Sequence, residues 1–132
     1  MPPTRALSLP APGLIGTCDA VVDADDTCKA AGTGELETLA TPRVLALVEC
    51  AAIAALGDHL ATGLTTVGVR VELEHLLPVR VGEHVRATAN LISARGRRLI
   101  FAVKLHDAAE RAIGVGRLTR AVVDVGYGQT EA

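Results

Sequence analysis

The sequence predicts an α+β fold, one long central helix wrapped by a curved antiparallel sheet of about five strands. Three observations carry that expectation. A segment opening at Thr41 and Pro42 holds only apolar or small residues from Val44 to Gly57, with the single exception of Glu49, which reads as a buried helix. Four later stretches alternate apolar and polar residues in period two and are joined by short turn sequences, the pattern of half-buried antiparallel strands. Hydrophobic residues make up 49% of the 132 residues, yet there is one Phe (Phe101), one Tyr (Tyr127) and no Trp, so the core must be built from Ala, Val, Leu and Ile. The length suits one domain over residues 1–132, with flexible ends expected at 1–11 and 127–132.

In chain order, residues 14 to 22 place Leu14, Cys18, Ala20 and Val22 on one side and Thr17 and Asp19 on the other, a first strand. Residues 23 to 37 are acidic, contain glycine and keep no period, which suggests an irregular segment or short helix able to act as a mobile lid. At Thr41–Pro42 the pattern changes. Thr is a good N-cap and Pro at the first helical position leaves no N–H orphaned, so a helix is expected from there to about Leu60. Being apolar nearly all round, it should be enclosed rather than lie on a surface. In "VGVRVELEH" Val67, Val69, Val71, Leu73 and His75 share one face; in "RVGEHVRATANLI" Val81, Val85, Ala87, Ala89 and Leu91 do. "RGR" turns the chain into "RLIFAVKLH", with Leu99, Phe101, Val103 and Leu105 inward, and "DAAER" turns it into "AIGVGRLTRAVVDV", whose period slips near Leu118 and suggests a bulge.

Composition excludes several classes of function. Formal net charge is −2, with three Lys/Arg against eight Asp/Glu in residues 1 to 60 and ten against seven thereafter. That mild asymmetry is far from the basic footprint of a nucleic-acid binder, and the near absence of aromatic rings removes stacking platforms for single strands. The longest apolar run, Val44 to Gly57, is interrupted by Glu49 and falls short of the roughly 20 residues of a membrane helix. Cytoplasmic location, without membrane or nucleic-acid partners, is the expectation. Cys18, Cys28 and Cys50 show neither disulfide nor zinc spacing, so no metal is expected.

Glu49 is the main chemical signal. A carboxylate in an apolar interior costs at least roughly 3 kcal/mol unless it is paired or protonated. Two readings stay open: a partly uncovered Glu49 at a subunit seam, paired with an Arg, or a reactive carboxylate tuned to act as base or nucleophile. His75 bears on the choice, because counting by twos from Val67 puts it on the helix-facing side at a strand end beside Leu76, Leu77 and Pro78, although an inward His is also a common satisfied core residue. Thr41 adds a hydroxyl at the helix N-terminus, where the macrodipole favours negative charge, besides its plain role as cap. Carboxylate, imidazole and hydroxyl are the parts of a proton relay. Cys50 diverges from Glu49 by 100° on a helix and reads as a small hydrophobe; His59, His84 and His106 read as solvated, and most of the later arginines as surface.

"LATPRVLALVECAA", "VGVRVELEH", "PVRVGEHVRATANL", "GRRLIFAVKLHD" and "GVGRLTRAVV" together resemble the bacterial hot-dog-fold acyl-CoA thioesterases related to fluoroacetyl-CoA thioesterase, over roughly residues 12 to 125. The resemblance implies a hot-dog fold and a homodimer or higher oligomer binding acyl-CoA at the subunit interface. Coenzyme A then enters as part of the substrate, with no separate cofactor. It implies catalytic roles for Thr41, Glu49 and His75, a place beside the thioester for Gly68, and one near the CoA moiety for Arg120. The fluoroacetate-specific member gates its pocket with phenylalanines before the helix, whereas "GTGELETLATP" has none, so that specificity does not transfer. Two other functions fit the same fold: a non-catalytic acyl-CoA or acyl-carrier binding module, and an acyl-thioester hydratase or dehydratase.

Overall fold

A computed structural model describes residues 9–129. The expected flexible ends lie largely outside that range. Five strands form one antiparallel sheet: β1 (Ile15–Val21), β2 (Leu64–His75), β3 (His84–Arg95), β4 (Arg98–Asp107) and β5 (Ala112–Asp124), in the spatial order β1-β3-β4-β5-β2. The long helix, α2 (Thr41–Leu56), lies in the sheet's concave face. The segment expected as irregular or a short helix is both: a 3-10 turn at Ala24–Asp26, capped by Asp23, then the four-residue α1 (Cys28–Ala31) and a loop. Main-chain bonds from Cys28 to Thr38 and from Leu39 to Val79 close the base of that loop, and its tip carries the exposed Leu36.

The core is aliphatic, as the composition requires. Val44, Leu47, Val48, Ala51 and Ala52 of α2 pack against Val85, Ala87, Ala89 and Leu91 of β3 and Leu99, Phe101, Val103 and Leu105 of β4, all nearly inaccessible. Gly16 of β1 allows the closest approach: a β carbon there would collide with the backbone of Ala51 and Ala55.

Several element details differ from expectation. The N-cap of α2 is Ala40, and Thr41 is the first helical residue, so its hydroxyl caps nothing. The helix stops at Leu56 instead of Leu60, because Gly57 takes a positive φ of 46° and its N–H bonds back to Ile53. Nor is the helix enclosed all round, since Cys50 and Ile53 stay exposed, Ile53 at 55%. Val81, 49% exposed, lies in the turn before β3 rather than within it.

The largest difference concerns β2. Its register with β5 runs Gly68↔Arg120 and then Arg70↔Thr119, so Val69 is an extra, unpaired residue. The slip expected near Leu118 of β5 is therefore a bulge on the partner strand, and two more shifts, at Ile92 and Ile113, bend β3 and β5. A bulge reverses the alternation, so Thr66 and Gly68 face α2 before it, and His75 faces α2 after it. Val67 is consequently not on the inward face with Leu73 and His75. Val69 and Val71 are 45% and 42% exposed on this edge strand.

Candidate active site

Every functional side chain proposed from the sequence lies on α2, β2 or β5, and they gather into two groups. In the first, Thr41 Oγ1 lies 2.8 Å from His75 Nδ1. The contact depends on Ala40 being the N-cap, because a capping Thr41 would have turned its hydroxyl onto the backbone. The other ring nitrogen, His75 Nε2, is buried and has no hydrogen-bond partner among the described residues. A buried unpaired ring nitrogen is costly, so a group held ready for a missing partner is the natural reading of it.

The second group surrounds Glu49. Its Oε2 accepts a 2.8 Å hydrogen bond from Arg120 Nη1 within an ion pair. Arg120, 7% exposed, also donates from Nε to Thr66 Oγ1 at 2.8 Å and from Nη2 to the Thr66 main-chain oxygen at 3.0 Å. Gly68 makes the group possible: a β carbon there would lie 2.6 Å from Glu49 Oε2. The carboxylate is 31% exposed and borders a cavity of about 300 Å³ lined also by Leu45, Gly68, Val69, Arg70, Val71 and Leu118. Glu49 thus combines features of both readings, an arginine partner and an opening to a pocket. A larger cavity, about 490 Å³, opens where α2 ends and is bordered by Arg120, Thr66 and Ile53.

The two groups do not meet within one chain. Eight residues of helix separate Thr41 from Glu49 by about 12 Å, and seven residues of strand separate Gly68 from His75 by roughly 23 Å. The expected relay of hydroxyl, imidazole and carboxylate is therefore divided, with the hydroxyl and ring at one end of the α2–β2 groove and the carboxylate at the middle. Arg120, expected near the CoA moiety, has its guanidinium buried on Glu49 and Thr66. Thr66 was missed because alternation counted from Val67 sets it on the outer face; only the bulge turns it in. His106, expected to be solvated, is half-buried with Nδ1 unpaired, and His84 lies 3.2 Å from Asp19; both rings are on the face of the sheet away from α2.

Among the described residues no helix is long and apolar enough to cross a membrane. Comparison with known proteins adds the family. The profile of the fluoroacetyl-CoA-specific thioesterases, FlK, matches residues 22–126. A fluoroacetyl-CoA thioesterase of Streptantibioticus cattleyicolor is 34% identical over 87 residues, which are 66% of this chain and 62% of that protein. A single-residue variant of FlK solved with acetyl-CoA superposes with a TM-score of 0.83 at 28% identity, covering 90% of this chain and 93% of that one. A hot-dog-like protein from Thermanaerovibrio acidaminovorans, at 24% identity, shares the fold with a TM-score of 0.80 over 98% and 93% of the two chains. The helix in its curved five-stranded sheet is a hot-dog fold, and the chain belongs to the fluoroacetyl-CoA-specific thioesterase family.

Proposed function

We propose that the protein is an acyl-CoA thioesterase, releasing free acid and CoA from a small to medium acyl thioester, and that it works as a homodimer. The observation that carries this reading is the division of one relay between one end and the middle of the α2–β2 groove. β2 is a twelve-residue edge strand with exposed Val69 and Val71, beside the exposed Ile53 of α2, an edge that natural sheets pair or cover. Pairing β2 antiparallel with its copy about a twofold axis between Val71 and Glu72 sets Gly68 of one chain opposite His75 of the other. Each Thr41–His75 pair then faces the Glu49 of the second copy.

In that composite site Glu49 draws a proton from a water molecule whose oxygen adds to the thioester carbonyl carbon. The C–S bond breaks, and the sulfur departs as CoA thiol on a proton from His75, oriented by Thr41, which the proton that Glu49 took from water then replaces. Gly68 leaves room for the acyl carbonyl beside Glu49. The uncapped amide end of α2, next to Thr41, and the main chain at Gly68 suit the negative charge that develops on the carbonyl oxygen. Arg120 serves the substrate through Glu49, and CoA needs no further cofactor. The aromatic-free loop tip at Leu36 favours acyl groups that a phenylalanine gate would exclude.

The test is a thiol-release assay over short, branched, aromatic and long acyl-CoAs, run on wild type, Glu49→Gln, His75→Ala and a mixture of the two variants. Wild type is expected to release CoA and each variant to be nearly inactive. Subunit exchange in the mixture should restore about a quarter of wild-type activity, because half the dimers are mixed and each holds one intact site. Tight acyl-CoA binding without thiol release would instead favour a carrier, and hydration of an enoyl-CoA a hydratase. Two separately active variants would remove both residues from the mechanism.

A further inference from the structure

We infer that Thr66 is a positioning residue for the reaction, setting the direction of the Glu49 carboxylate through Arg120; this rests on the thioesterase reading. Three of the five N–H donors of Arg120 are engaged, and two of those three end on Thr66, on its hydroxyl at 2.8 Å and its carbonyl at 3.0 Å. Two bonds from one residue to adjacent edges of a planar guanidinium fix both its plane and its rotation. The third bond, Nη1 to Glu49 Oε2 at 2.8 Å, is thereby aimed.

The surroundings favour a steering role over simple burial. A permanently charged group that is 7% exposed needs polar partners, and the carboxylate alone would neutralise it without orienting it. Thr66 is itself buried, 9% exposed, and shares the helix-facing side of β2 with Gly68, over which the Glu49–Arg120 pair passes. With Oε2 held, Oε1 remains for the reacting water; among the described residues Oε1 accepts no hydrogen bond. A carboxylate tied at one oxygen by a mobile arginine would sample several directions, and general-base catalysis falls when the base is out of line.

The experiment compares Thr66→Val, which deletes the hydroxyl at nearly constant shape, with Thr66→Ser, which keeps it. Both are measured for kcat and KM on the acyl-CoA that wild type turns over fastest, for thermal midpoint, and for solvent exchange of the Arg120 Nε–H by NMR. Thr66→Val should lower kcat about tenfold with KM within about twofold, and Thr66→Ser should keep kcat within about threefold of wild type. The Nε–H should be protected from exchange in wild type and Thr66→Ser and exposed in Thr66→Val. An unchanged kcat in Thr66→Val, or equal losses in both variants with a falling midpoint, overturns the positioning role. If wild type hydrolyses no acyl-CoA, the thioesterase reading fails by itself. The exchange data then decide the clamp: protection that survives Thr66→Val overturns it, and protection lost in Thr66→Val alone upholds it.

Discussion

The two halves of the candidate site are held in opposite ways. Around Glu49 an ion pair, a buried guanidinium and two bonds to Thr66 use each other's polar capacity, and the group is fixed. At the other end of the groove Thr41 and His75 share one hydrogen bond, carry no fixed charge partner, and leave a ring nitrogen buried and unpaired. The proposed base is clamped, whereas the ring proposed to carry the proton keeps one nitrogen unpaired. The difference teaches that the proposed mechanism assigns charge placement and proton transfer to separate elements, which the proposed dimer brings together.

The strongest way to break this contrast is to remove one reacting group from each half. Glu49→Gln and His75→Ala should each lower kcat/KM by about two orders of magnitude or more while circular dichroism stays native. A loss in only one of them would leave a single working half. Gly68→Ala attacks the clamp by geometry, since its β carbon would lie 2.6 Å from Glu49 Oε2 and must shift the carboxylate from its place on Arg120. About a tenfold or greater loss of kcat is expected, with no comparable loss in Thr41→Ser, which keeps the hydroxyl at the other end; equal rates for Gly68→Ala and wild type would argue against the clamp.

How far the sequence reaches into this site depends on the bulge. The succession of elements along the chain, the helix start and the core positions Val85, Ala87, Leu99, Phe101 and Val103 follow from period and turn residues, because each is a local pattern. Thr41, Glu49 and His75 stand out as chemistry on otherwise apolar or terminal positions. Thr66 does not, and the inward place of Gly68 is lost as well, because a single unpaired residue at Val69 inverts the face count and nothing in "TTVGVRVE" marks which residue is extra. The division of the relay was equally hidden, since sequence separation carries no information about distance along a groove.

Smaller effects sharpen the contrast from outside the groove. In the β4–β5 turn Asp107 accepts bonds from the Ala109 and Arg111 main chains and from Arg111 Nε at 2.7 Å. The Arg111 backbone bond, against the opposing effect of burial, and then its side chain hold the Asp107 carboxyl below the usual range. A lowered folded-state pKa contributes stability above the ordinary carboxylate range and loses it as pH falls through the depressed value. Asp107→Asn should therefore lower the melting temperature at pH 7, the gap to wild type narrowing in acid, with kcat unchanged. A change in kcat would tie this turn to the site. Smallest of all, burial and the neighbouring Cys50 thiol push Cys18 up to about 11, so iodoacetamide at pH 8 should leave Cys18 unmodified in peptide mass spectra. Rapid labelling would mean that β1 opens away from α2.

The unpaired Val69 makes the length of one strand matter more than its composition. Gaining or losing one residue between Thr66 and His75 would rotate imidazole and glycine to opposite sides of the ribbon, whereas exchanging an outward residue of β2 for another leaves both in place. Divergence in this lineage should therefore spare the spacing and spend its variation on identity, and an engineer recombining such chains should cut elsewhere.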